Sequence, residues 1–125
     1  MPLSWTDDLL VGHQEIDAQH VELFDLVVAL VYARSPESRV LVAKSLYDHS
    51  REHFKFEEGL MDGIGYPEAE RHKVQHSALL KRLTEIAHRI SDRSLDIASL
   101  QQFIEDWLIN HIVTDDADLA AYLRI

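Results

Sequence analysis

Apolar side chains recur along this chain at helical intervals of three and four, and no stretch alternates long enough to make a strand. Ile16, His20, Phe24, Val27 and Val31 are spaced 4, 4, 3 and 4, one buried stripe on a helix from about Ile16 to Tyr32, opened by Asp17 or a neighbour. Ser35-Pro36-Glu37-Ser38 interrupts the pattern with cap chemistry, a proline near a first turn flanked by serines. The second helix then runs to about Met61, with Val42, Leu46, His49, His53, Glu57 and Leu60 as its inner stripe. Gly63, Gly65 and Pro67 end it, because none of them continues a helix cheaply. A third helix spans about Glu68 to Ile90 and carries His72, His76, Leu79, Leu83 and Ile86 on one face. Beyond the turn at residues 91–94, a fourth collects Leu100, Ile104, Trp107 or Leu108, and His111. Thr114 is placed to cap a last short helix from Asp115 to Leu123. Residues 1–15 show no sustained period and read as an extended arm, tacked down by Trp5, Leu9, Leu10 and Val11.

Four amphipathic helices with short links predict an all-α fold, an antiparallel up-down four-helix bundle with an N-terminal arm and a short C-terminal helix. The 125 residues fit one domain, and an apolar fraction of 46% supplies a core. A formal charge of -10 speaks against nucleic acid or an anionic membrane surface as partner, since phosphate would be repelled. The absence of cysteine removes disulfides, thiolate ligands and iron–sulfur clusters. No basic, apolar leader opens the sequence, and no apolar run reaches the roughly 20 residues of a membrane span. A cytoplasmic location is the expectation.

The eight histidines change this picture through their placement. A single histidine in an apolar stripe is ordinarily a core residue bonded to a neighbour. Here His20, His53, His72, His76 and His111 lie on core-facing stripes of four different helices. Burying five imidazoles without a common partner costs on the order of a few kcal/mol each, which a small bundle does not survive. Metal ions remove that cost by taking the ring nitrogens as ligands. Five imidazoles exceed one mononuclear site and point to two metals, which carboxylates would bridge. Glu57, one turn from His53, is the first candidate bridge, whereas Glu58 lies about 100° round the helix and is expected to face solvent. Asp115 and Asp116 both stand for the second. Asp116 is about 500° from His111 on a regular helix, so it reaches the site only if the helix loosens or restarts at Thr114.

The motifs Ile16-Asp17-Ala18-Gln19-His20, His53-Phe54-Lys55-Phe56-Glu57-Glu58, Tyr66-Pro67, His72-x-x-x-His76 and Trp107-Leu108-Ile109-Asn110-His111-Ile112, ending in Asp116, resemble the hemerythrin family, in particular bacterial hemerythrins. The resemblance covers nearly the whole chain. It implies two iron ions with a bridging oxo or hydroxo group, binding dioxygen reversibly for storage, delivery or sensing, and no enzyme activity. His72, His76 and His111 would serve one iron, His20 and His53 the other, and Glu57 and Asp116 both. Leu108, Ile112 and Trp107 would line the oxygen pocket. A redox- or oxygen-sensing regulatory domain, or a di-iron enzyme handling peroxide or nitric oxide or acting as an oxidase, is the alternative. A protein partner, an oxygenase or a signalling output, would then be involved.

The chain departs from the family pattern at three places. Leu119 stands where an aromatic residue often follows the bridging aspartate, with Tyr122 a turn later. His49 replaces a common aromatic and is open to three readings: a partner to a ligand, a spare ligand or a tolerated polar residue. His13 sits in the arm where a smaller or apolar residue is usual, and His88 falls on an outer, solvated face.

Overall fold

The computed structural model describes residues 5–124, apart from the side chains of Ile97, Asp106 and Leu108. Helix α1 (Gln14–Val31) opens on His13, whose Nδ1 accepts the Ile16 N–H at 3.2 Å. His13 is thus a helix cap, and Asp17, expected as a possible opener, lies inside α1 with another task. Its carboxylate accepts the Val11 N–H at 2.8 Å and the Gly12 N–H at 3.2 Å. Arg124, 113 residues further on, holds the same arm by donating to the Val11 carbonyl at 2.8 Å. The arm is not simply extended, since Asp7–Leu9 forms a 3₁₀ turn. Leu9 and Val11 are buried and Trp5 meets Phe24 edge-on at 6.0 Å, while Leu10 is 48% exposed and tacks nothing down.

Helix α2 (Pro36–Ile64) begins as the serine–proline pattern predicts, with Ser35 accepting the Ser38 N–H at 3.1 Å and Pro36 in the first turn. It continues past Met61 because Gly63 stays helical, and only Gly65 turns left-handed, at φ 62°. A side chain disfavours that conformation, and glycine does not. The buried face of α2 is Ala43, Leu46, Ser50, His53, Phe54, Glu57 and Met61. Compared with the predicted stripe, Val42 and Leu60 are only half-buried and His49 is exposed. The cause is that α2 packs against both α1 and α3, so its covered strip is wider than one row and takes in Phe54.

Helix α3 (Ala69–Ser91) buries the five residues expected of it, His72, His76, Leu79, Leu83 and Ile86, together with Ile90. Asp96, whose carboxylate accepts the Ser99 N–H at 2.7 Å, starts α4 (Ile97–Ile104). The rod then widens without a break into a π-helical stretch, Glu105–Asp116, and returns to α geometry in α5 (Ala117–Leu123). Asp116 and Ala117 both keep right-handed helical dihedrals, and the Ala117 N–H bonds the Ile112 carbonyl five residues back. Thr114 therefore does not cap a new helix. The links at residues 32–35, 65–68 and 92–96 are short, so successive rods are antiparallel neighbours in an all-α four-helix bundle. No strand occurs among the described residues, and no helix there is long and apolar enough to cross a membrane.

Candidate metal centre

All four rods send polar side chains to one point in the core. α1 contributes His20, α2 His53 and Glu57, α3 His72 and His76, and the π-helical stretch His111 and Asp116. None of the seven is more than 5% exposed. They fall into two sets, Glu57, His72, His76, His111 and Asp116 on one side and His20, His53, Glu57 and Asp116 on the other. Within each set one donor atom per residue lies within 4.8 Å of all the others.

The two carboxylates belong to both sets and divide their oxygens between them. Glu57 turns Oε1 to the Nε2 atoms of His76, at 3.0 Å, and His72, at 3.3 Å. Its Oε2 faces His53 Nε2 at 3.0 Å and, farther off, His20 Nε2 at 3.8 Å. Asp116 places Oδ1 at 3.1 Å from both His72 Nε2 and His111 Nε2, and Oδ2 at 2.8 Å from His20 Nε2. His20 and His53 meet at 3.1 Å between their Nε2 atoms.

Helix geometry explains how Asp116 gets there. With hydrogen bonds running to the fifth residue back, a π-helix takes roughly 4.4 residues per turn, so a side chain five places on returns to nearly the same face. The widened rod thereby brings Asp116 under His111, which a regular helix at about 100° per residue does not do. Asp115, four places on, comes within reach of the same ring.

The donor set suits a pair of first-row divalent ions, which take imidazole nitrogen together with carboxylate oxygen. Unsatisfied atoms support that fit. Both oxygens of Glu57, Oδ2 of Asp116 and Nε2 of His76 and His111 are buried with no hydrogen-bond partner, although opposing atoms stand about 3 Å away. The close pairs are not aligned as donor and acceptor. Orphaned buried polar atoms are otherwise rare.

Protons take the place of cations in the metal-free arrangement. Burial opposes charge on His20 and His72, but Asp116 and Glu57 outweigh it and raise both imidazoles to about 9. His111, likewise disfavoured by burial and favoured by Asp116 and Asp115, rises to about 10. Burial also works against ionised Glu57 and Asp116, yet the surrounding imidazoles hold both carboxyls below their ordinary range.

The outer nitrogens of three rings are held as well. His53 Nδ1 lies 2.6 Å from Gln19 Oε1, His76 Nδ1 2.9 Å from Glu58 Oε2, and His111 Nδ1 3.1 Å from Asp115 Oδ2. Glu58, expected to face solvent, is instead half-buried against α3, because its 100° offset points it at the neighbouring rod. The helical spacing of one rod contains no such signal, and Gln19, Glu58 and Asp115 become visible as ring partners only once the rods are packed. His49 takes none of these roles: it is exposed, and its Nδ1 lies 2.9 Å from the Ser45 carbonyl one turn back. His88 is exposed, as its outer-face position predicts.

Of the three residues expected to line an oxygen pocket, Trp107 and Ile112 are each only 2% exposed. Leu108 lies outside the described side chains. Phe54, missed in the sequence pattern, stacks on His76 with ring centroids 4.0 Å apart and meets Trp107 edge-on at 6.3 Å. Leu119 is fully buried, and Tyr122 packs against Tyr66 at 5.1 Å.

Residues 11–123 match the family model described as the hemerythrin HHE cation binding domain. The chain is 34% identical to a bacteriohemerythrin of Stenotrophomonas maltophilia (strain R551-3), over 98% of this chain and 82% of that protein. It is 32% identical to a hemerythrin-like protein of Naegleria gruberi and 30% identical to a hemerythrin of Sipunculus nudus. Each of these two alignments covers 92% of this chain and 88% of the relative.

Proposed function

The chain belongs to the hemerythrin family, and from that premise we propose that it binds dioxygen reversibly at a pair of iron ions in the core of the bundle. The observation that carries the reading is the division of the two buried carboxylates, each with one oxygen toward one imidazole set and the other oxygen toward the other. His72, His76 and His111 would hold the first iron, His20 and His53 the second, and Glu57 and Asp116 have an oxygen available to each. When bound, the iron pair supplies the electrons and the open position that a dioxygen molecule needs. The second set offers one imidazole fewer than the first.

The side chains around the centre then decide between holding oxygen and consuming it. Five imidazoles are neutral ligands and only Glu57 and Asp116 bring negative charge, whereas di-iron sites of the ferritin-like type draw on four glutamates and two histidines. Less anionic charge stabilises oxidised iron less, which favours a binder over an oxidase. Phe54 presents apolar surface to His76 and His111, with buried Trp107 behind it, and this excludes water, so proton delivery to a bound guest is slow. Oxygen storage, delivery to an oxygenase and oxygen sensing through a signalling partner all draw on this one property.

The test is an optical titration of anaerobic, Fe²⁺-reconstituted protein with oxygen. A visible charge-transfer band that grows with oxygen and bleaches under vacuum over repeated cycles is the expected result. Continuous oxygen consumption in the presence of a reductant would overturn the reading in favour of an oxidase.

A further inference from the structure

The two halves of the centre differ behind the rings as well as in ring number. His111 is flanked by consecutive residues: Asp115 Oδ2 holds its Nδ1 at 3.1 Å, and Asp116 Oδ1 stands 3.1 Å from its unsatisfied Nε2. The π-helical stretch makes this arrangement possible, since places four and five along the rod both lie under the ring. Asp115 is itself pinned from α3: Arg71 Nη1 donates to its Oδ1 at 3.2 Å, while Arg71 Nε donates to Glu68 Oε2 at 2.9 Å. The Gln75 amide, oriented with nitrogen toward Asp115 and oxygen toward Arg71, closes the triangle at 3.0 and 3.1 Å. His76, in the same half, is backed by another carboxylate, Glu58. On the other side His53 is backed only by the neutral amide oxygen of Gln19, and His20 Nδ1 is buried without a partner.

We propose that Asp115, fixed by Arg71 and Gln75, is a positioning residue that makes the three-imidazole half the tighter metal position and leaves the two-imidazole half as the exchangeable one. The inference rests on the metal-centre reading above. The physical ground is that a carboxylate behind a ligating imidazole locks the ring with Nδ1–H outward and Nε2 toward the metal, and increases the basicity of that nitrogen. An amide oxygen fixes the same tautomer with no charge. A ring with nothing behind it must be oriented by packing alone. Metals are therefore taken up and lost in sequence, with the half containing His20 and His53 filled last and emptied first.

The test titrates metal-free protein with Co²⁺, followed by visible absorption and calorimetry, and uses Zn²⁺-loaded protein for nitrogen-15 NMR of the imidazoles. Wild type shows two unequal steps. Asp115→Ala weakens the tighter step ten- to a hundredfold, the usual effect of losing such a partner, and leaves the weaker step in place. Asp115→Asn keeps an acceptor oxygen without the charge and falls between, which also covers the case in which the alanine variant does not fold. Gln19→Glu narrows the gap by tightening the weaker step. In the Zn²⁺-loaded protein the His111 Nδ1–H exchanges slowly with solvent in wild type and rapidly in Asp115→Ala, a change that a loss of general stability does not produce selectively. Equal steps in wild type, or equal weakening of both steps in Asp115→Ala, would overturn the proposal. Failure of wild type to bind Co²⁺ at all would overturn the metal-centre reading beneath it.

Discussion

Phe54 offers the sharpest test of how the bundle supports its site. The ring is 1% exposed, stacks on His76, and stands edge-on to both Trp107 and His111 at 6.3 Å. A buried phenylalanine covers roughly 150–250 Å² of surface. At about 25 cal/mol per Å² that is about 4–6 kcal/mol as an upper bound, part of which an alanine methyl retains. Rings from α2, α3 and the π-helical stretch surround this point, and rings fixed by their own hydrogen bonds cannot collapse into the space. The expected cost of Phe54→Ala is therefore the full core value of about 3–5 kcal/mol. For a chain of this size that corresponds to a fall of roughly 10–20 °C in melting midpoint. The measurement belongs on metal-free protein in urea, because metal binding adds its own linkage to apparent stability. Phe56, two places on and half-buried, provides the comparison, and Phe56→Ala should cost less than about 1.5 kcal/mol. Equal losses in the two variants, or a loss below about 1 kcal/mol at Phe54, would refute the claim that this ring fills the wall beside the three-imidazole set.

Three further outcomes follow from the same geometry. Iron analysis of His53→Ala after reconstitution should find about one metal per chain in place of two, whereas His88→Ala, on an exposed ring, should retain both. Gly12 has φ 89°, and a Cβ there would run into the Arg124 guanidinium; Gly12→Ala should destabilise by about 1–3 kcal/mol and speed proteolysis of the arm. In metal-free protein His20 and His72 sit near 9 and His111 near 10, above the ordinary 6.5. Such groups add stability that is complete below about pH 6.5 and lost as pH climbs through 9 to 10. The unfolding midpoint of stripped protein should fall across that window, and that of metal-loaded protein, whose rings are neutral ligands, should not follow it.

The rods and the five inward histidines were legible in the sequence because both depend on spacing within one helix. Cap chemistry at Ser35-Pro36 behaved as expected, and so did the apolar face of α3. What spacing could not supply was anything set by two rods at once. Glu58 faces solvent on an isolated helix and His76 in the bundle. Phe54 joins the core only because α2 is covered on two sides. His13 reads as an anomaly until its ring is seen closing the first turn of α1. The choice between Asp115 and Asp116 had a different origin, a change of helical pitch. Arithmetic at 100° per residue excludes Asp116 from the His111 face, and the wide rod admits both, one for each ring nitrogen.

That change of pitch also sets the phase of everything after it. Leu119 and Ala120 point inward, and Arg124 reaches the arm, because the rotation accumulated between Glu105 and Asp116 is smaller than an ordinary helix would give. The tail is thus keyed to chain length more than to side-chain identity. Val113, 45% exposed, can change its side chain at little cost. Dropping a single link from that stretch would spin α5 by roughly a quarter turn, unseat its apolar pair and release the clasp between Arg124 and the Val11 carbonyl.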